Sequence, residues 1–156
     1  MEKTLIVNGR LITPYRIIDP GSIMIEAGKI TVITQDKMDT FGCRVIDAQG
    51  YYVSPGFIDI HLHGGGGHDF MDGTVDAFLG IARIHAEHGT TAMVPTTLTA
   101  ELDDLLHTLT VYGEANQVNQ QGSQFLGLHI EGPYFALNQK GAQDPRYIRL
   151  PQRSEY

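Results

Sequence analysis

Phe57-Ile58-Asp59-Ile60-His61-Leu62-His63-Gly64-Gly65-Gly66-Gly67 is the stretch on which the reading of this chain turns. Phe57–Leu62 is an apolar run broken by Asp59 and ending around His61, the pattern of a strand buried on both faces in a parallel sheet. His61 and His63 stand two residues apart at its C-terminal end, so strand periodicity sends both imidazoles to one face. Two converging neutral imidazoles make half of a divalent-metal site. A bare His-x-His pair also describes two packed core histidines. Its place at a strand end, where parallel β/α folds bind their ligands, favours the metal reading. The four glycines match neither dinucleotide nor P-loop spacing, and are expected to form a loop that turns sharply and lets backbone approach the site.

Downstream, Thr74 to His88 fits a helix with apolar positions Val75, Phe78, Leu79, Ala82 and Ala86, closed by Gly89. Thr90–Val94 reads as a strand, Pro95 to Thr99 as a loop, Ala100 to about Val118 as a second helix, and Phe125–Ile130 as a third strand. Strand, helix, strand, helix, strand calls for parallel strands joined by right-handed crossovers, in an open sheet or part of a (β/α)8 barrel. Glu131 directly follows the third strand, at the same rim as the histidines, where a carboxylate can ligate or bridge cations. His129, two residues earlier, should point the same way and is a candidate ligand, though it reads rather as a residue that orients the ligands or packs beneath them. His68, Asp69 and Asp72 read as structural loop residues, and His85, His88 and His107 as helix-surface or packing residues. Lys140, Arg146, Arg149 and Arg153 form a mildly basic stretch that suits either an anionic substrate group or a solvated face.

Upstream, residues 1–55 read as short strands and turns: Thr4–Val7, an Asn8-Gly9 hairpin turn, Arg10–Ile12, Ser22–Glu26, a turn at Ala27-Gly28-Lys29, Ile30–Thr34, and a hairpin-like pair Val45–Asp47 and Tyr51–Val53. Ser54-Pro55-Gly56 marks the boundary, giving a small β unit over 1–55 and a β/α unit over 56–156. With 156 residues and 42% hydrophobic content, the chain has the makings of a real core. Its formal charge of −7 disfavours nucleic acid and anionic membrane surfaces as partners. No apolar run approaches the ~20 residues that span a bilayer. The N-terminus lacks the pattern of a secretory signal, and Cys43, the single cysteine, cannot form an internal disulfide; both suit the cytoplasm.

Three stretches taken together carry a resemblance: Pro55 to Gly65 (PGFIDIHLHGG), Gly127 to Tyr134 (GLHIEGPY) and Lys140 to Gln143 (KGAQ). The combination resembles the N-acetylglucosamine-6-phosphate deacetylase family of the amidohydrolase superfamily. The first stretch alone says only amidohydrolase; the other two are more specific. The resemblance implies an α/β fold in which 1–55 belongs to a small β-sandwich and 56–156 supplies the first three β/α units of an incomplete (β/α)8 metal-dependent hydrolase barrel. It implies Glu131 as principal metal ligand, His61 and His63 as ligands of a further metal in some members, and Ala142 and Gln143 as sugar contacts, glutamine and histidine both occurring at the latter position. The implied cofactor is one or two divalent cations, zinc or iron by ligand type. The implied partner is a phosphorylated N-acetylated amino sugar, hydrolysed to the free amine and acetate, in a homodimer. The acid/base aspartate and two further metal-binding histidines come from later strands in that family, and nothing after Glu131 supplies them. A complete barrel takes ~250 residues, so the chain reads as an N-terminal portion, weak or inactive by itself. Two other readings stand beside this one. A dihydroorotase- or hydantoinase-like amidohydrolase shares the His-x-His strand but usually has a lysine as bridging ligand. A non-catalytic metal- or partner-binding remnant shares the ligands without turnover.

Overall fold

The computed structural model describes residues 3–155, a mixed α/β chain with several sheets that divides into two units, Met1–Pro55 and Gly56–Tyr156. In the first unit β1 (Lys3–Ile12), β2 (Ile17–Glu26) and β3 (Lys29–Thr34) form an antiparallel meander. β4 (Arg44–Asp47) and β5 (Tyr52–Val53) both lie parallel to β1. The described residues of this unit make a single sheet, where the sandwich expectation calls for two layers.

Asn8-Gly9 is not the expected hairpin turn. β1 runs through it as one strand, and the pairing with β2 slips on either side of Gly9. Asn8 adopts φ 55°, a left-handed value that asparagine tolerates. The outcome is a β-bulge, which reverses the inward–outward alternation beyond it. Ile6 and Leu11 therefore share one cluster with Ile18, Ile23, Ile25 and Val53, although strict alternation would separate them. The second expected hairpin is also absent. β4 and β5 pair with β1 rather than with each other, and Ala48 to Tyr51 steps the chain along β1 past the bulge, with Gly50 N donating to Asn8 O at 2.8 Å and Arg10 N to Tyr51 O at 2.9 Å. Ala27 and Gly28, both at positive φ, make the two-residue turn between β2 and β3 as expected.

The second unit is built on β6 (Phe57–Leu62), whose C-terminal end continues into a small hairpin, β7 (Gly64–Gly65) and β8 (His68–Asp69). The glycine run is thus a hairpin rather than an irregular loop. Gly66 and Gly67 occupy its turn at φ 62° and 86°, and a Cβ on Gly64 would strike the carbonyl oxygen of His68. Asp69 and Asp72 then cap a short 3-10 turn at Phe70–Asp72, with Met71 N donating to Asp69 Oδ1 and Asp69 N to Asp72 Oδ2. α1 (Val75–Glu87) is capped by Thr74 and closed by Gly89 at φ 93°. β9 (Thr90–Pro95) follows, then α2 (Leu102–Val118) and β10 (Gln124–Phe125).

β6, β9 and β10 are parallel, in the order β10-β9-β6. Both helices send apolar residues into one cluster: Phe78, Ile81 and Ala82 from α1 and Val111 and Ala115 from α2 meet Leu62, Phe70, Met93 and Phe125. These three strands form no closed barrel. β6 is not buried on both faces as its composition suggests: Phe57, Ile58 and Ile60 are 69%, 63% and 71% exposed, and of this strand only Leu62 joins the core beneath the helices. No helix of the described residues is long and apolar enough to cross a membrane.

Candidate metal centre

The expected third strand, Phe125–Ile130, is interrupted. Phe125 pairs with Met93 but His129 with Thr96, so this segment carries one residue more than β9 between the two pairs, and the ladder ends at an isolated bridge. The backbone nonetheless stays fastened to β9: Leu126 N donates to Met93 O, His129 N to Pro95 O and Thr97 N to His129 O, all at 2.8–2.9 Å. The bulge and its resumption carry Glu131 to the rim that holds His61 and His63.

There, one donor atom from each of His61, His63 and Glu131 lies within 4.8 Å of the others, forming the one cluster of metal-ligand type found among the described residues. Nε2 of His61 and Nε2 of His63 each stand 3.1 Å from Glu131 Oε2. That oxygen is buried, yet neither contact has hydrogen-bond alignment. His63 Nδ1 lies 3.2 Å from Thr96 O, which can only accept, so Nδ1 carries the hydrogen there and the Nε2 of a neutral ring is left as a lone pair that a cation can take. A proton could join only one pair of these atoms at a time, whereas a divalent ion satisfies all three. Two ligands each ~2.1 Å from one ion lie ~3.1 Å apart when they subtend about 95°, between octahedral and tetrahedral angles. The donor set and the orphaned oxygen therefore fit a cation.

His129 sits beside this cluster. Its ring lies edge-on to His61 with centroids 4.9 Å apart, and Nδ1 is 3.5 Å from Thr96 Oγ1. It packs against His61 and Thr96. Sequence reasoning missed the threonines of the loop after β9. Thr96, fully buried, takes the Leu62 amide on its hydroxyl and the His63 ring on its carbonyl. Thr97, also fully buried, accepts the Glu131 amide at 3.2 Å. Three hydroxyl residues within Thr96–Thr99, at the end of a parallel strand, were the available signal.

Gln143 is tied to the same loop, and Ala142 precedes it in the chain. Ala142 is exposed; Gln143 is buried, and its Oε1 accepts the Thr99 amide at 2.9 Å. With the carbonyl so held, the amide NH2 is the end left to donate elsewhere. The basic residues nearby are engaged locally: Lys140 Nζ with the carbonyls of Gly141 and Gln143, Arg146 with Asp144, and Arg149 with Glu155 and Ala100 O. His85 and His107, expected to be surface or packing residues, anchor loops to helices through Gly64 O and Gly73 O.

The Arg146 guanidinium and amide, hydrogen-bonded to Asp144, hold that carboxyl down at about 2, below its ordinary 3.8. A lowered folded value stabilises the loop fully above the ordinary value, and the contribution is lost as pH falls through about 2. Carboxyl titration by NMR is expected to place Asp144 near that value, and Arg146→Gln to return it toward 3.8; an unmoved midpoint in the variant contradicts the assignment.

No family model matches the chain. Among curated proteins it is 34% identical over 149 residues to the N-acetylglucosamine-6-phosphate deacetylase of Haemophilus influenzae, covering 94% of this chain and 38% of that one. It is 32% identical over 152 residues to the enzyme of the same name from Bacillus subtilis, covering 95% and 38%. It is 33% identical over 140 residues to an N-acetylgalactosamine-6-phosphate deacetylase of Escherichia coli O157:H7, covering 90% and 36%. Among solved structures, the Pasteurella multocida N-acetylglucosamine-6-phosphate deacetylase superposes with a TM-score of 0.87 at 29% identity, over 97% of this chain and 40% of that one. A variant of the Mycobacterium smegmatis enzyme, solved in complex with N-acetyl-D-glucosamine-6-phosphate, gives 0.80 at 26%, over 99% and 39%. The chain thus spans about 38% of the length of the Haemophilus influenzae and Bacillus subtilis relatives.

Proposed function

We propose, from a chain that corresponds to the N-terminal portion of the N-acetylglucosamine-6-phosphate deacetylases, that His61, His63 and Glu131 are the cation-holding side of a site that hydrolyses the acetamido group of a phosphorylated amino sugar. The observation that carries this reading is the buried Glu131 Oε2, 3.1 Å from two imidazole nitrogens without a hydrogen bond to either. β6, β9 and β10 with their helices are read as the opening units of a (β/α)8 barrel, and residues 1–55 as part of a small β-sandwich. Nitrogen and carboxylate donors favour zinc or iron, one or two per complete site.

A divalent ion held there supplies Lewis acidity, activating water for attack at neutral pH and polarising an amide carbonyl. The chain's own residues do the rest of what this rim offers. The Thr96 carbonyl holds His63 through Nδ1 and leaves Nε2 to a cation. Ala142 and Gln143 are assigned to the sugar, with the Gln143 carbonyl occupied by Thr99 and its NH2 free to donate to a hydroxyl. A departing amine must gain a proton, and no acid among the described residues joins the cluster to give it. The same reading includes a homodimeric whole protein and a cytoplasmic location, the latter supported by the lone Cys43.

Titration of the purified 156-residue chain with Zn2+ and Fe2+, followed by assay of acetate release from N-acetylglucosamine 6-phosphate and its galacto epimer, tests the proposal. Cation binding with little or no acetate release is the expected result. Absence of cation binding overturns the metal centre, and rapid acetate release by this chain alone overturns the division of labour. A lysine bridging ligand would have favoured the dihydroorotase-like reading; Glu131 occupies that rim instead.

A further inference from the structure

We infer that Thr97 is a positioning residue for Glu131, setting how well the cluster grips a cation; the inference rests on the metal-centre reading. The ladder between β9 and the following segment ends at the Thr96–His129 bridge. Glu131 lies beyond that last rung. Immediately after it come Gly132, in a left-handed conformation at φ 82°, and Pro133, which has no amide hydrogen to contribute. Among the described residues the Glu131 amide has no backbone partner, and the next backbone anchor is Pro133 O, which accepts from Arg149 N at 3.2 Å.

Thr97 takes over from the ladder. Its own amide donates to His129 O at 2.9 Å, and its hydroxyl accepts from the Glu131 amide at 3.2 Å, so one residue clamps the segment on both sides of Ile130. The side-chain hydroxyl occupies the role a strand carbonyl would have had one rung further on. It is rigid in that role, since Thr97 is fully buried and a β-branched side chain has little χ1 freedom. The consequence reaches the chemistry through geometry. Oε2 must stay 3.1 Å from two imidazoles that are held by a different strand, so a shift of the Glu131 backbone misplaces one ligand against the other two. Groups that orient ligands in this way typically govern metal affinity by about 10–100-fold.

Thr97→Val retains the shape and removes the acceptor, whereas Thr97→Ser retains the hydroxyl. Zn2+ titration calorimetry on the full chain is expected to show affinity falling by about 10-fold or more for Thr97→Val and nearly unchanged for Thr97→Ser. The wild-type chain without added metal gives a second measurement that needs no variant to fold: the Glu131 amide is expected to exchange its hydrogen slowly, as a bonded amide does. Equal affinities for wild type and Thr97→Val, or a Glu131 amide exchanging like an open loop, overturn the inference alone. Absence of Zn2+ binding by the wild type overturns the metal centre beneath it. Loss of thermal stability in Thr97→Val with unaltered affinity likewise assigns Thr97 a merely structural role and overturns the inference.

Discussion

Glu131→Gln is expected to abolish high-affinity cation binding while raising the thermal midpoint of the metal-free chain. The two effects have one cause. In the native cluster Glu131 Oε2 lies 3.1 Å from His63 Nε2, with the other side of that ring held by Thr96 O. The buried oxygen has given up water without gaining a donor. Glutamine has nearly the same shape but brings an N–H that a small rotation can offer to the imidazole, replacing an unpartnered acceptor with a hydrogen bond worth ~0.5–1.5 kcal/mol. For a unit of this size ~1 kcal/mol moves the midpoint by roughly 4–8 °C. The same change removes the one negative charge of the donor set, and a neutral amide is a poor ligand for zinc or iron, so affinity is expected to fall by more than the ~10–100-fold typical of losing an orienting partner. Differential scanning calorimetry with and without Zn2+ reads both. A variant that binds Zn2+ as tightly as the wild type, or that melts lower without it, shows that the cluster is not strained toward a cation. Stability gained where binding is lost is the mark of residues arranged for function rather than for folding.

The elements of the β/α unit were legible because their patterns are long and unambiguous. Thirteen residues from Val75 with a threonine before and a glycine after can hardly be anything but a helix, and Thr74 and Gly89 close it as expected. That His61, His63 and Glu131 come together was legible for a different reason: two follow from the end of β6, the third comes just past the last pairing with β9, and parallel neighbours bring such positions to one rim. Asn8-Gly9 misled because that dipeptide satisfies two conformational needs. Positive φ at asparagine serves a hairpin turn and a bulge equally, and what distinguishes them lies far away in sequence: β4 and β5 pair with β1 on both sides of Gly9, where Val53 leaves no room for a Cβ. β6 misled in the opposite direction. Its apolar composition describes a strand covered on both faces, but Phe57, Ile58 and Ile60 lie open because composition records what a strand is suited to meet rather than what these 156 residues bring to it. Thr96 and Thr97 were passed over since threonine in a loop is common, and their roles arise from contacts with Leu62 and Glu131 that no local pattern encodes.

Phe78→Ala is expected to destabilise the second unit by ~3–5 kcal/mol, the largest single loss available outside the metal cluster. The ring is fully buried and central to an aromatic group, 4.8 Å from the Phe70 ring, 6.0 Å from Phe125 and 6.3 Å from Tyr112 by centroid. These neighbours come from the turn after the glycine hairpin, from β10 and from α2, so Phe78 is where α1 is joined to every other layer. Truncation loses the transfer energy of the ring and leaves a cavity that three aromatic rings on separate elements cannot collapse to fill. Against a total stability of ~5–15 kcal/mol for an ordinary domain, the remainder is small. The damage also reaches the site by a short path, because Phe70 N donates to His63 O at 2.9 Å, and a shifted Phe70 moves the backbone that carries the His63 ligand. Binding and folding are linked in return: a cation at 100 times its Kd adds ~2.7 kcal/mol to the native state alone. Urea denaturation is therefore expected to find Phe78→Ala barely folded without metal and substantially restored by saturating Zn2+, whereas Glu131→Gln, which cannot hold the ion, gains nothing from it. A Phe78→Ala chain as stable as the wild type shows that this aromatic group does not hold the unit together. One that is weakened but indifferent to Zn2+ disconnects the core from the metal centre that the hairpin and Phe70 join to it.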